Sequence, residues 1–156
     1  MSGRSEGVKG ARTTARLAAV QALYQVEFRA EDPARTVEEF RRFRLKPGLG
    51  GPDWAAADAD FFKAVVEGAW SRRPEIDGLI APALAKNWTL ARIDPVLRAA
   101  LRAGVYEILA RPDIPARTTI GEYVELAHAF DAGAEAGFIN GVLDRIARER
   151  RPAEMT

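Results

Sequence analysis

A chain of 156 residues is long enough for one ordinary domain with a sizeable hydrophobic core. Apolar residues make up 47% and charged residues 29% of it, which is normal for a globular protein and excludes a disordered one. With no cysteine, one histidine and no apolar run long enough to span a bilayer, the sequence excludes a disulfide framework, a structural zinc site and a membrane protein. No secretory signal is evident in residues 1–10, so we expect a cytoplasmic protein.

A basic segment opens the chain, although the net charge of the whole protein is only +1. Four basic residues stand here against one acid: Arg4, Lys9, Arg12 and Arg16 against Glu6. A basic arm of this kind is typical of nucleic-acid binding, and the alternative is a solvated, frayed terminus. We expect residues 1–10 to form a flexible basic arm.

Helical periodicity dominates the rest of the chain. The first helix is predicted to start at a Thr13 or Thr14 cap, and the third at an Asp53 cap after a Gly/Pro-rich loop over 46–53. The pairs Asp32-Pro33 and Asp94-Pro95 are typical of an N-cap followed by the first helical residue. The predicted inward faces are, in chain order: Leu17, Val20, Tyr24, Phe28; Val37, Phe40, Phe43; Phe61, Phe62, Val65, Val66, Ala69, Trp70; Ile76, Leu79, Ile80, Leu84; Leu97, Leu101, Gly104, Val105, Ile108; Ile120, Tyr123, Val124, Ala127, Phe130; Phe138, Ile139, Val142, Leu143, Ile146.

The pattern predicts an all-α fold of about seven helices in two packed helical subdomains. No alternating apolar and polar run bounded by turn residues is present, so no strand is predicted. We expect one domain over residues 11–150, with the loop 46–53 as a possible boundary inside it. Residues 151–156 are expected to form a flexible tail.

Residues for catalysis or metal binding are scarce. His128 is the only histidine, and two of the three serines lie in the basic arm, so a Ser-His-Asp arrangement has little to build on. The segment 48–51 lacks the Lys-Ser/Thr pair of a phosphate-binding loop. The sequence therefore predicts a non-enzymatic protein without a metal or cofactor.

Binding of RNA or of a partner protein is the function class that remains. Arg12 and Arg16 are four residues apart and share one face if the first helix starts early. Tyr24, Phe130 and Phe138 are aromatic residues of the kind that contact RNA or a partner, but their helical spacing is equally typical of core residues. The residues alone indicate a helical domain with a basic arm, and they leave RNA binding open.

Three motifs, in order, resemble the NusB family of transcription antitermination factors. The first is ARTTARLAAVQALYQ at Ala11–Gln25, and the second is VLRAALRAGVYEI at Val96–Ile108. The third runs from Ile114-Pro115 through EYVELAHAF, ending at Phe130, into FINGVLD, which starts at Phe138. Clear similarity covers about residues 11–28 and 88–148, and the order and spacing of the motifs make the resemblance specific.

The resemblance implies an all-α fold, a function and partners. Members bind boxA, a short single-stranded RNA element of ribosomal RNA leaders, together with NusE, a small-subunit ribosomal protein. The complex joins other Nus factors on RNA polymerase and suppresses premature termination. No catalysis or cofactor is implied.

By position, the resemblance also implies site residues. Lys9, Arg12 and Arg16 would belong to the RNA-binding arm, and Phe130 and Phe138 would lie near the RNA. Tyr24 matches a tyrosine that faces NusE. Leu97 stands where many relatives place a glutamate at the NusE interface, so a charged contact there is altered or absent. Asn140 is expected to tie the start of the last helix to the preceding loop.

Two alternatives remain beside the antitermination factor. A homodimeric helical scaffold would bury the partner-facing surface, and an apolar Leu97 there would suit self-association. NusB-like helical domains also occur as RNA-binding appendages at the N-terminus of rRNA cytosine methyltransferases, although this chain has neither the length nor the cysteine for the catalytic domain.

Overall fold

The computed structural model describes residues 10–129 and 133–156, and within them every regular element is helical. The seven α-helices confirm the predicted all-α fold. They are α1 (Ala11–Arg29), α2 (Pro33–Phe43), α3 (Ala59–Ser71), α4 (Arg73–Ala83), α5 (Pro95–Ala110), α6 (Ala116–Ala129) and α7 (Gly133–Arg150). Short 3-10 turns cover Leu90–Arg92 and Pro152–Glu154. No helix in the described part of the chain is both long and apolar enough to span a membrane.

The chain divides into two compact units, and the division falls within α3. The N-terminal unit ends at Glu67 and the C-terminal unit begins at Gly68. The loop 46–53, predicted as a possible boundary, lies inside the N-terminal unit and is a series of turns. A helix can cross such a division because its own backbone hydrogen bonds continue through it.

The helix starts were predicted with mixed success. Asp32 accepts a hydrogen bond from the N–H of Ala34 at 3.1 Å, and Asp94 accepts one from Val96 at 2.9 Å, so both Asp-Pro starts are confirmed. The prediction that Asp53 caps α3 is wrong. The cap is Asp58, whose carboxylate accepts the N–H of Phe61 at 3.0 Å, and α3 begins at Ala59. The Thr13-Thr14 cap is also wrong: α1 starts at Ala11, after Gly10.

In the N-terminal unit, α1 and α2 form a helical hairpin, and α3 starts beside α1. Ala30 takes a left-handed φ of 53° and donates its N–H to the carbonyl of Val26, which ends α1 before α2 begins. The N–H of Asp58 donates to the carbonyl of Ala11 at 3.0 Å. The rings of Phe40 and Phe62 stack with centroids 5.5 Å apart and are fully buried.

The C-terminal unit packs α6 and α7 against each other and both of them against α5, while α4 contacts α5 and α7. Leu143 of α7 is completely buried, as its spacing predicted, and lies against Gly104 of α5. Arg102 and Asp77 join α5 to α4 through a bidentate ion pair, with both N–O distances 2.9 Å. Pairing of this geometry satisfies a guanidinium that is nearly buried.

Residues 151–156 correct the predicted flexible tail. Arg151 donates to the carbonyls of Ile108 and Ile114, at 2.9 and 2.7 Å, and Met155 is buried. The carboxylate of Glu154 accepts the N–H of Ala116 at 2.9 Å, and this hydrogen bond lowers the pKa of Glu154 below its usual value. The polar composition of residues 151–156 predicted a solvated tail. Their side chains instead form hydrogen bonds with backbone groups of residues 108–116, and composition does not reveal such contacts.

Candidate nucleic-acid interface

Two arginines of the first turns of α1 lie over one ring of α3. The Cζ atoms of Arg12 and Arg16 are each 5.0 Å from the centroid of Phe61. Because α1 starts at Ala11, the two arginines share one helix face, which confirms that sequence expectation. The stacked guanidiniums hold positive charge at the N-terminal end of α1.

The two arginines differ in exposure, and this separates their roles. Arg12 is exposed, so its charge is available to a phosphate. Arg16 is only 3% exposed and is part of the interior of the protein. The sequence expectation that Arg16 contacts RNA therefore has little exposed side chain to act through, and the Arg16 guanidinium lies over the ring of Phe61.

The structure describes only some of the other residues that were predicted to contact RNA. Lys9 and Phe130 lie outside the described residues. Phe138 is half-buried on α7. Asn140 is exposed in the middle of α7, and the loop to which it was expected to tie the helix start lies outside the described residues. Arg12 is thus the one predicted RNA residue that the described structure presents as an exposed cation.

An aromatic pair lies at the other end of α1. The rings of Tyr24 and Phe28 stack with centroids 5.6 Å apart and an interplanar angle of 9°. Tyr24 is half-buried and Phe28 is 72% exposed. Phe28 was predicted to face the core, and that prediction is wrong. Its spacing of four residues from Tyr24 is the signal that joins the two rings into one surface.

Leu97, which was predicted to face a partner, is largely buried. It is 9% exposed and lies at the start of α5, where its N–H donates to the carboxylate of Asp94 at 3.4 Å. The expectation that Leu97 faces a partner is therefore not supported, because nearly all of its side chain is already covered. Its inward position agrees instead with its helical spacing.

The sequence matches one family model and many curated proteins. The model for the NusB family matches residues 13–148. The chain is similar to the transcription antitermination protein NusB of Sphingopyxis alaskensis, at 46% identity over 90% of this chain and 94% of that protein. It is similar to the protein of the same name from Rhodopseudomonas palustris, at 45% identity over 100% of this chain and 90% of that protein.

Solved structures give the same family. NusB of T. maritima has a TM-score of 0.75 and 34% identity, covering 95% of this chain and 98% of that one. A chain of a crystal structure of antitermination factors NusB and NusE in complex with dsRNA has a TM-score of 0.73 and 25% identity. It covers 88% of this chain and 96% of that one.

Proposed function

This chain belongs to the NusB family of transcription antitermination proteins, and from that membership we propose that it binds boxA-type RNA of ribosomal RNA leaders together with NusE. In this function it acts without catalysis, metal or cofactor, and the RNA–protein complex joins other Nus factors on RNA polymerase to oppose premature termination. The observation that carries the proposal is the likeness, over most of the chain, to a chain of a complex of NusB and NusE with dsRNA.

The geometry of α1 supports two separate contacts. The exposed guanidinium of Arg12 lies in the first turn, and the Tyr24–Phe28 pair lies near the last turn. At 1.5 Å per residue, Arg12 and Tyr24 are about 18 Å apart along the helix axis. One rigid helix therefore holds a cation for RNA phosphates and an aromatic surface for a protein partner at fixed separation.

Two alternatives lose support. The homodimeric scaffold was motivated by an apolar Leu97 on the surface, and Leu97 is buried. The methyltransferase appendage would belong to a much longer protein, whereas the curated relatives named above are themselves covered over 94% and 90% of their length. These observations favour the antitermination factor.

The proposal is tested by fluorescence anisotropy with a labelled boxA-type RNA. The RNA is titrated with this protein alone and with an equimolar complex of the protein and NusE. Tighter binding with NusE, lost when the RNA sequence is scrambled, is the expected result. Equal affinity for the boxA-type and scrambled RNA would contradict the proposal, because the adaptor would then read no sequence.

The exposure of Arg12 and Arg16 predicts opposite phenotypes. Arg12→Ala should weaken binding of boxA-type RNA and reduce its salt slope by about 0.7, the value for one phosphate contact on a single strand. Its melting temperature should stay close to that of the wild type. Arg16→Ala should instead lower the free energy of unfolding by about 2 kcal/mol, because a desolvated cation–π contact is lost. Salt-dependent anisotropy and thermal unfolding of both variants check this, and a stable Arg16→Ala with a flattened salt slope would reverse our assignment.

The aromatic pair predicts a partner phenotype. Phe28→Ala should weaken NusE binding by about 2 kcal/mol, the size of a hot-spot residue at a protein interface. Because Phe28 is largely exposed, the stability of the protein should change little. Isothermal titration with NusE measures the loss. Phe43→Ala is the matched control, since Phe43 is also exposed but lies at the end of α2, and equal losses in the two variants would argue against a contact specific to Phe28.

A further inference from the structure

The N-terminal unit carries a second concentration of positive charge that the proposed function does not use. The 41–46 segment reads RRFRLK and contains four basic residues and no acid. All four, Arg41, Arg42, Arg44 and Lys46, are exposed. None of the ion pairs between residues that the structure describes involves them. Their charge is open to an anionic partner.

Helix stabilisation accounts for only part of this charge. Arg41 and Arg42 lie in the last turn of α2, where cations offset the negative end of the helix dipole. Arg44 is the C-cap residue of α2, and only Lys46 lies far enough beyond the helix to have no such role. Phe43 was predicted to face the core, but it is 59% exposed, with the Arg42 Cζ atom 5.4 Å from its ring centroid. An exposed ring among guanidiniums can stack under a base while the cations contact phosphates.

Arg44 of this segment and Arg12 each lie over a ring of the N-terminal unit, and these rings are Phe40 and Phe61. The Cζ atom of Arg44 is 4.8 Å from the centroid of Phe40, and Phe40 stacks on Phe62. The neighbouring residue, Phe61, lies under the guanidinium of Arg12. All of these residues belong to the N-terminal unit. Arg12 and the 41–46 segment are thus exposed cations of the same compact unit, and an RNA strand in contact with Arg12 has a second cationic surface on that unit.

We propose that the 41–46 segment is a second RNA-contact surface, which binds the phosphates and one base of single-stranded RNA flanking the boxA-type element. This inference rests on the proposed function, because it assumes that RNA already lies at Arg12. An acidic protein surface would also attract the four cations. RNA is favoured because it pairs both with the cations and with the exposed face of Phe43.

Two RNAs and one charge-matched control test this inference. One RNA is the boxA-type element alone, and the other carries on the order of ten extra nucleotides on each side, enough for one single-strand binding site. With NusE saturating, the wild type should bind the longer RNA more tightly. The double variant Arg42→Gln and Arg44→Gln should lose about 25-fold in affinity for the longer RNA at about 0.1 M salt, and about 1.4 in salt slope. Its affinity for the short RNA should be unchanged.

The control is the double variant Arg29→Gln and Arg35→Gln. It removes the same charge from the opposite end of the α1–α2 hairpin, and it should bind both RNAs as the wild type does. Phe43→Ala keeps the charge and should weaken only the longer RNA, by about fivefold or more, through lost stacking. Full affinity of the Arg42 and Arg44 variant for the longer RNA would overturn the inference alone and leave the segment to an acidic protein. Failure of the wild type to bind either RNA would overturn the proposed function as well.

Discussion

Replacing Leu143 by alanine is expected to lower the free energy of unfolding by about 2–5 kcal/mol. Leu143 of α7 is 0% exposed and lies against Gly104 of α5. A Cβ atom added at Gly104 would be 2.9 Å from its Cδ1 atom, so the leucine fills the space that the glycine leaves. Truncation removes this packing and opens a cavity that the surrounding helices fill only in part. Urea unfolding followed by circular dichroism measures the loss.

Leu79→Ala is the matched control for this change. Leu79 lies on α4 of the same unit and is half-buried, so the same truncation should cost less than half as much. A second substitution tests the contact itself. Gly104→Ala should be destabilising in the wild type but less so in the Leu143→Ala background, because the atom it would meet is gone. Strict additivity of the two substitutions would show that they do not share this space.

Replacing Arg151 by alanine is expected to lower the free energy of unfolding by about 3 kcal/mol. Each hydrogen bond from a charged donor is strong, but the contributions of several bonds from one side chain do not simply add. The guanidinium donates to four carbonyls: Glu107 at 3.1 Å, Ile108 at 2.9 Å, Arg111 at 2.7 Å and Ile114 at 2.7 Å. Two of these belong to the last turn of α5, where carbonyls have no partner within the helix, and the carbonyl of Glu107 also accepts the capping N–H of Arg111 at 2.9 Å. The positive charge also offsets the helix dipole there.

Two variants define what Arg151 contributes. Arg150→Ala changes the preceding residue, whose ion pair with Glu75 is long, at 3.9 Å, and exposed. It should cost less than about 1 kcal/mol. Arg151→Lys keeps the charge but cannot donate to four carbonyls from one planar group, so it should recover only a minor part of the loss. An Arg151→Ala protein as stable as Arg150→Ala would contradict the capping role.

Helix starts were predicted correctly where the capping residue and the helix it caps are adjacent in the sequence. Asp32 and Asp94 cap the helices that follow them, because an Asp-Pro pair supplies both the acceptor and the preset backbone angle within two residues. Asp53 offered a similar signal, but α3 is capped by Asp58, which also hydrogen-bonds to the carbonyl of Ala11. The backbone hydrogen bond between Asp58 and Ala11 of α1 thus accompanies the choice of Asp58 over Asp53 as the cap of α3.

Periodicity predicted which residues share a helix face, but not what covers that face. Leu143 and Phe40 are buried as predicted, whereas Phe28 and Phe43, at equally regular positions, are exposed. Each of these two exposed rings lies near the end of its helix, where the next element need not reach. The candidate partner surface therefore contains a residue that was predicted to lie in the core.

The sequence by itself determined the helical class, the family motifs and the cationic character of the start of α1, because these depend on spacing and residue type within a few turns. Only the tertiary structure decided that Arg12 is a surface cation and Arg16 an interior one, since the ring beneath both comes from α3. It likewise turned residues 151–156 into an ordered cap, because the carbonyls that Arg151 binds lie about forty residues earlier in the chain. Burial and hydrogen bonding between distant segments are properties of the folded chain, and no local pattern encodes them.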